Sequence, residues 1–164
     1  MSDPGNVLAA KVLLSARRLA REYGHAWIGT EHVLLGILEQ EEGEVRTAFE
    51  EAGVTSAAVR VELSQLAPSI DQPAKADLPL ASSLRQMLDG AVRQTRSRQL
   101  EDVTVASLAV AMMERHAGLG YAILVKRGAD LDDLARRLGA PTDGGRVGGD
   151  GDVGDAGDDD ARSA

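Results

Sequence analysis

The sequence predicts an all-α fold: two tandem four-helix repeats related by a pseudo-twofold, about eight helices in all, with a disordered acidic C-terminal tail. Three observations carry that prediction. Apolar residues recur at spacings of three and four in segment after segment, the period of a helix face and not of a strand. The second half of the chain matches the first at a constant offset of 75 residues, the mark of a duplicated unit. From Gly139 onward the composition shifts to Gly and Asp, with almost nothing to bury.

In the first segment Leu8, Val12, Ala16, Leu19 and Tyr23 mark one buried stripe, with Arg17, Arg18, Arg21 and Glu22 largely off it. Met1 to Gly5 reads as a flexible lead, Asn6 as a cap for this first helix, and Gly24 as its left-handed stop. A glycine-punctuated turn follows, and Thr30 is expected to cap a second helix from Glu31 to about Glu39, its hydroxyl accepting a first-turn amide. Val33, Leu34, Leu35, Ile37 and Leu38 make that helix apolar on nearly every face, so it should be the most buried. Gly43 separates it from a third helix carrying Val45, Ala48, Phe49 and Ala52, closed by Gly53. Thr55 or Ser56 caps a fourth with Val59, Leu63 and Leu66 as its seam. Four short helices cannot each bury a face alone, so they must pack on one another.

Pro68, Pro73 and Pro79 remove amide donors and disfavour helix, so 67–79 reads as a linker. It divides a first repeat, 1–66, from a second, 80–138. The repeats align without gaps: Leu13 with Leu88, Ala16 with Ala91, Ile28 with Val103, Leu35 with Val110, Gly43 with Gly118, Phe49 with Leu124 and Gly53 with Gly128. Asp130 caps the last helix, which runs through Leu131, Leu134 and Leu138. The two copies share a scaffold but differ in surface chemistry. Gly29-Thr30-Glu31-His32 in the first becomes Thr104-Val105-Ala106-Ser107 in the second. The final segment, 139–164, lacks apolar residues to offset an ordering cost of roughly 1–2 kcal/mol per residue and should be disordered.

Apolar residues make up 43% of the 164 positions but aromatics only 2%, so the core must be built from Leu, Val, Ile, Ala and Met. There is no cysteine, which excludes disulfides and thiolate metal sites and suits a reducing, cytoplasmic setting. No basic leader and no long apolar run suggests export or membrane insertion. The formal charge of -8 is concentrated at the C-terminus, where Thr142–Ala164 holds seven Asp and two Arg. That balance argues against nucleic acid as a partner, since phosphate binding relies on Lys and Arg.

No Gly-x4-Gly-Lys-Ser/Thr motif is present to cradle a nucleotide. The serines, among them Ser15, Ser56, Ser82 and Ser107, lie in helices or caps without a Gly-x-Ser-x-Gly context, so no catalytic residues are expected. His25 and His32 match no metal-ligand spacing and read as structural, so neither a metal nor a cofactor is expected. Glu31 stands in the first turn of its helix, where a carboxylate offsets the dipole. The same corner would suit a ligand cationic at one end and anionic at the other, its guanidinium on the carboxylate and its anion on free amides.

The run Gly24-His25-x-x-Ile28-Gly29-Thr30-Glu31-His32-x-Leu34-Leu35-Gly36-x-Leu38 resembles the signature of the Clp N-terminal domain, the double four-helix repeat at the front of ClpA- and ClpC-type unfoldases. The resemblance covers roughly residues 6 to 138 and implies a stand-alone, non-catalytic protein-binding module without ATPase modules. Its implied partners are degradation substrates, adaptors or a Clp unfoldase, and its implied role is to modulate Clp-dependent proteolysis. ClpC-type N-domains recognise phosphorylated arginine. The resemblance therefore implies a phosphoarginine or peptide site at Asn6, Thr30, Glu31 and His32, with Asn6 where the family pattern has Thr. In the second repeat these positions are Ala81 and Ala106, so at most one such pocket is expected. Some family members bind antibacterial cyclic peptides, which makes a decoy for Clp-targeting peptides an alternative. A structural or oligomeric interaction protein is another.

Overall fold

Helices form where the apolar stripes place them. The structure, a computed structural model, describes residues 4–41, 43–66 and 77–139. Among them are eight helices: α1 (Pro4–Glu22), α2 (Thr30–Leu38), α3 (Glu44–Glu51), α4 (Ser56–Ser64), α5 (Ser82–Ser97), α6 (Val105–Glu114), α7 (Leu119–Lys126) and α8 (Leu131–Gly139). The first residues of α2 and α6, of α3 and α7, and of α4 and α8 all stand 75 apart. The duplication read from the sequence is therefore a duplication of architecture.

The helix ends follow from local chemistry. Thr55 Oγ1 accepts the Ala58 amide at 3.2 Å to cap α4, and Asp130 Oδ1 accepts that of Asp133 at 3.0 Å at the start of α8. Gly24 leaves α1 at φ +71°, the left-handed turn that glycine takes without strain. Its counterpart after α5 is Gln99, which takes φ +59° without that freedom. Three expectations are corrected. The first helix begins at Pro4, where the missing proline amide is lost at no cost, so Asn6 lies inside the first turn and is not the cap. Thr30 is the first helical residue of α2, and the cap is Gly29. Gly139 still belongs to α8, its carbonyl accepting the Arg98 guanidinium. The remainder of the expected tail, 140–164, and linker positions 67–76 lie outside the described residues.

Two helices form the centre of a core to which all eight contribute. Every residue of α2 is buried, and so is α6 from Ser107 to Met113. α2 packs on α1, α3 and α4 of its own half and on α5, α6 and α7 of the other. At the α1–α2 crossing a Cβ on Gly36 would stand 2.9 Å from the Val12 carbonyl oxygen, so the helices meet at backbone distance. In the second half the small residues are exchanged, with Gly90 of α5 facing Ala111 of α6. The two halves are also strapped near the loop before α2. The Ile28 amide donates to the Pro79 carbonyl and the Ala81 amide to the Ile28 carbonyl, both at 2.9 Å.

Candidate functional site

The polar corner at the start of α2 is built from its first four positions. Gly29 is extended, and its amide donates to Nδ1 of His32 at 2.9 Å. In the second copy Ser107 plays the same part, its Oγ accepting the Thr104 amide at 2.8 Å. The serine hydroxyl spends its proton locally on the Thr104 carbonyl at 2.8 Å, whereas an imidazole has a second nitrogen that reaches further. Nε2 of His32 lies 2.7 Å from Nδ1 of His25. Because His32 Nδ1 accepts, its proton sits on Nε2 and is donated to His25. His25 then carries its own proton on Nε2, buried near the Leu66 backbone without a hydrogen-bond partner among the described residues.

This imidazole pair is closed off from water. His25 is 3% exposed and His32 0%, and His25 lies between the rings of Tyr23 and Trp27. Burial, and next the neighbouring His25, push the His32 ring down to about 3. Burial also lowers His25, with Leu66 opposing. Both rings are neutral at physiological pH, so the approach of His32 to Glu31 at 3.4 Å is not an ion pair.

Glu31 is 1% exposed. Its carboxylate lies over Gly29, where any Cβ would collide with it, and accepts the Trp27 indole N–H at 3.1 Å. Burial raises its pKa, opposed by its own backbone amide and by Trp27. Thr30 is equally buried, and its Oγ1 accepts the Gly120 amide of α7 at 2.8 Å. Thr30, Glu31 and His32 are thus brought together, but each is partnered from within the fold. Asn6 lies on α1, its side chain outside the described part.

The Thr30–Gly120 contact explains a feature that sequence reasoning missed. α7 presses onto the first turn of α2 so closely that a Cβ on Gly120 would meet the Thr30 carbonyl at 2.8 Å. One on Gly118 would meet the Thr30 hydroxyl at 2.6 Å. In the other copy the corresponding residues are Val45 for Gly120 and Val105 for Thr30. Valine has the shape of threonine without its acceptor, and Val45 has the bulk that glycine lacks. The helices α3 and α6 therefore stay apart and leave a groove of about 290 Å³. Leu8, Ile37, Val45, Val105 and Ala106 give it an apolar lining, with Gly43 and Arg46 on its α3 side. Arg46 is held there by the Gln40 and Glu41 carbonyls. The signal was present in the 75-residue register as the Thr30/Val105 and Gly120/Val45 pairs. It becomes legible only once α2 is known to pack on α7.

The family model of the Clp repeat (R) N-terminal domain matches residues 7–124. The chain belongs to that family. A Clp relative from Cyanidium caldarium, described as an ATP-dependent Clp protease ATP-binding subunit ClpA homolog, is 27% identical over 130 residues, 79% of this chain but 15% of that protein. The chain thus spans a small part of the relative's length. The Hsp104 N-terminal domain from Candida albicans superposes with a TM-score of 0.68 at 16% identity, covering 80% of this chain and 89% of that one. A ClpV N-domain solved in complex with VipB peptide superposes at 0.60 and 20% identity, covering 85% and 97%. Both likenesses are of fold. Within this Clp N-domain, then, the first copy of the signature is covered by α7 and Trp27, and the open apolar surface lies at the second copy, where Val105 and Ala106 replace Thr30 and Glu31. Among the described residues no single helix is long and apolar enough to cross a membrane.

Proposed function

We propose that this Clp N-domain is a non-catalytic binding module that holds segments of substrates, adaptors or Clp components in the groove between α1, α3 and α6, and so modulates Clp-dependent proteolysis. The observation that carries the reading is the groove itself. It is an apolar concavity between two copies of one unit, open on one side of the pseudo-twofold and closed on the other. A cavity of this size accepts one or two aliphatic side chains of a polypeptide, whose burial contributes about 1.5–3 kcal/mol each. The fold-level likeness to an N-domain solved with a peptide supports the same reading. Titrating a fluorescently labelled, permanently unfolded polypeptide tests it. Wild type binds, and Val105→Arg, which fills the groove with a charge, binds roughly tenfold more weakly. Unchanged affinity in the variant places binding elsewhere.

A phosphoarginine pocket at Asn6, Thr30, Glu31 and His32 is a second form of the proposal. It draws on one observation: Trp27, which covers the Glu31 carboxylate, is only half-buried. Displacing the indole would free a matched acceptor for a guanidinium. An arginine-phosphorylated peptide should then bind wild type and fail on Glu31→Ala, and equal binding to both ends this form.

A further inference from the structure

The groove mouth is acidic on two sides. Glu41 and Glu44 flank Gly43 on the α3 side, and Glu101 and Asp102 stand three and two residues before Thr104, a lining residue on the α6 side; all four are exposed. None of their carboxylates forms an ion pair among the described residues. Neighbouring charges are already matched: Glu39 with Arg18 and Arg60, and Arg46 with Glu50. Lys11, exposed on α1, offsets one of the four acids.

The register of the repeat shows that this charge goes with the opening. At the closed counterpart the positions of Glu41, Glu44, Glu101 and Asp102 are occupied by His116, Leu119, Ala26 and Trp27. The four exposed acids gather where the apolar groove is open; where Thr30 and Gly120 seal its mate the carboxylate present, Glu31, is buried.

Resting on the binding-module reading above, we infer that the groove takes a partner polypeptide segment with an apolar anchor flanked by Lys or Arg. The apolar lining receives the anchor, and the lip pairs with the flanking cations. The same signs exclude two other occupants. A second copy of this chain would bring an identical acidic lip against the first. The chain's own C-terminal sequence carries seven Asp against two Arg from Thr142 to Ala164, so it is repelled by the lip.

Two short fluorescent peptides with the same leucine-rich centre, one flanked by Lys and one by Glu, test the inference by polarisation. The Lys-flanked peptide binds the full chain about tenfold more tightly at low salt, the sum of several individually small surface contacts. High salt collapses the difference. The double variant Glu101→Lys/Asp102→Lys, in an exposed loop and checked for fold by circular dichroism, narrows or inverts the preference. Equal binding of the two peptides to wild type overturns the charge inference and leaves the groove reading standing. Affinities that do not change in Val105→Arg overturn the groove reading itself. Concentration-dependent dimerisation that Val105→Arg abolishes would put a second copy in the groove and overturn the inference as well.

Discussion

His32 shows how one side chain can serve a helix end and a core at once. It caps the Gly29 amide as Ser107 caps Thr104, and its second nitrogen ties the loop before α2 through His25. Both rings have their pKa depressed in the folded state. The unfolded chain therefore binds protons that the fold refuses, between the ordinary imidazole value and the folded ones. Their contribution to stability is fully present above about pH 6.5 and declines as pH falls toward about 3 for His32. Glu31 acts with the opposite sign near the carboxylate range, since its raised pKa favours the protonated fold. The histidine effect is thus cleanest between neutrality and mildly acid pH. Urea unfolding at successive pH values should show stability falling by as much as about 1.4 kcal/mol per pH unit for each titrating ring. His32→Ser, which keeps the cap acceptor, should lower stability at neutral pH but flatten that slope; an unchanged slope would show that the pair does not resist protonation. The spacing of His25 and His32, which matches no metal site, reads as structural, and the two rings lie buried within hydrogen-bond distance of each other. The sequence misplaced the cap at Thr30 because that residue's hydroxyl is claimed by an amide ninety positions away.

At the scale of elements, apolar period and glycine stops placed α2, α3, α4 and α8 to within a residue or two, because those signals are local, and the 75-residue register carried α6 and α7. The exception was the start of α1, where Pro4 opens the helix ahead of the Asn6 expected to cap it. The end of α5 carried no signal at all, since Gln99 takes a left-handed conformation that sequence would assign to glycine. The groove was illegible for a different reason: it depends on two helix pairs compared with each other. α7 lies on α2 because Gly118 and Gly120 allow it, whereas Val45 holds α3 away from α6. Gly120→Val should therefore push α7 off the first turn of α2, strand the Thr30 hydroxyl and destabilise the protein by about 1–3 kcal/mol. Thermal unfolding monitored by circular dichroism measures this. A variant as stable as wild type would show that the close approach is incidental, and the contrast between the open and closed sides would lose its cause.

For the whole molecule, the constant offset of 75 showed that the chain is doubled but not whether the copies stand alone. Ion pairs do cross between them: Glu62 of α4 with Lys126 of α7 and with Arg127 just after it, and Glu51 of α3 with Arg137 of α8. Exposed pairs of this kind contribute little each. The apolar contacts decide the matter. α2, buried along its whole length, rests on α5, α6 and α7 as well as on its own half, and α1 rests on α6. Unfolding the second copy would strip cover from the most apolar helix of the first, so the two should melt as one cooperative unit. Trp27, the single tryptophan, lies in the first copy, whereas far-ultraviolet ellipticity reports all eight helices. Urea curves followed by Trp27 fluorescence and by ellipticity should therefore coincide in midpoint and slope. An ellipticity transition that precedes the fluorescence change would mean that the second copy unfolds first, leaving α2 stable without it. The groove between the copies could then not persist as a fixed docking surface.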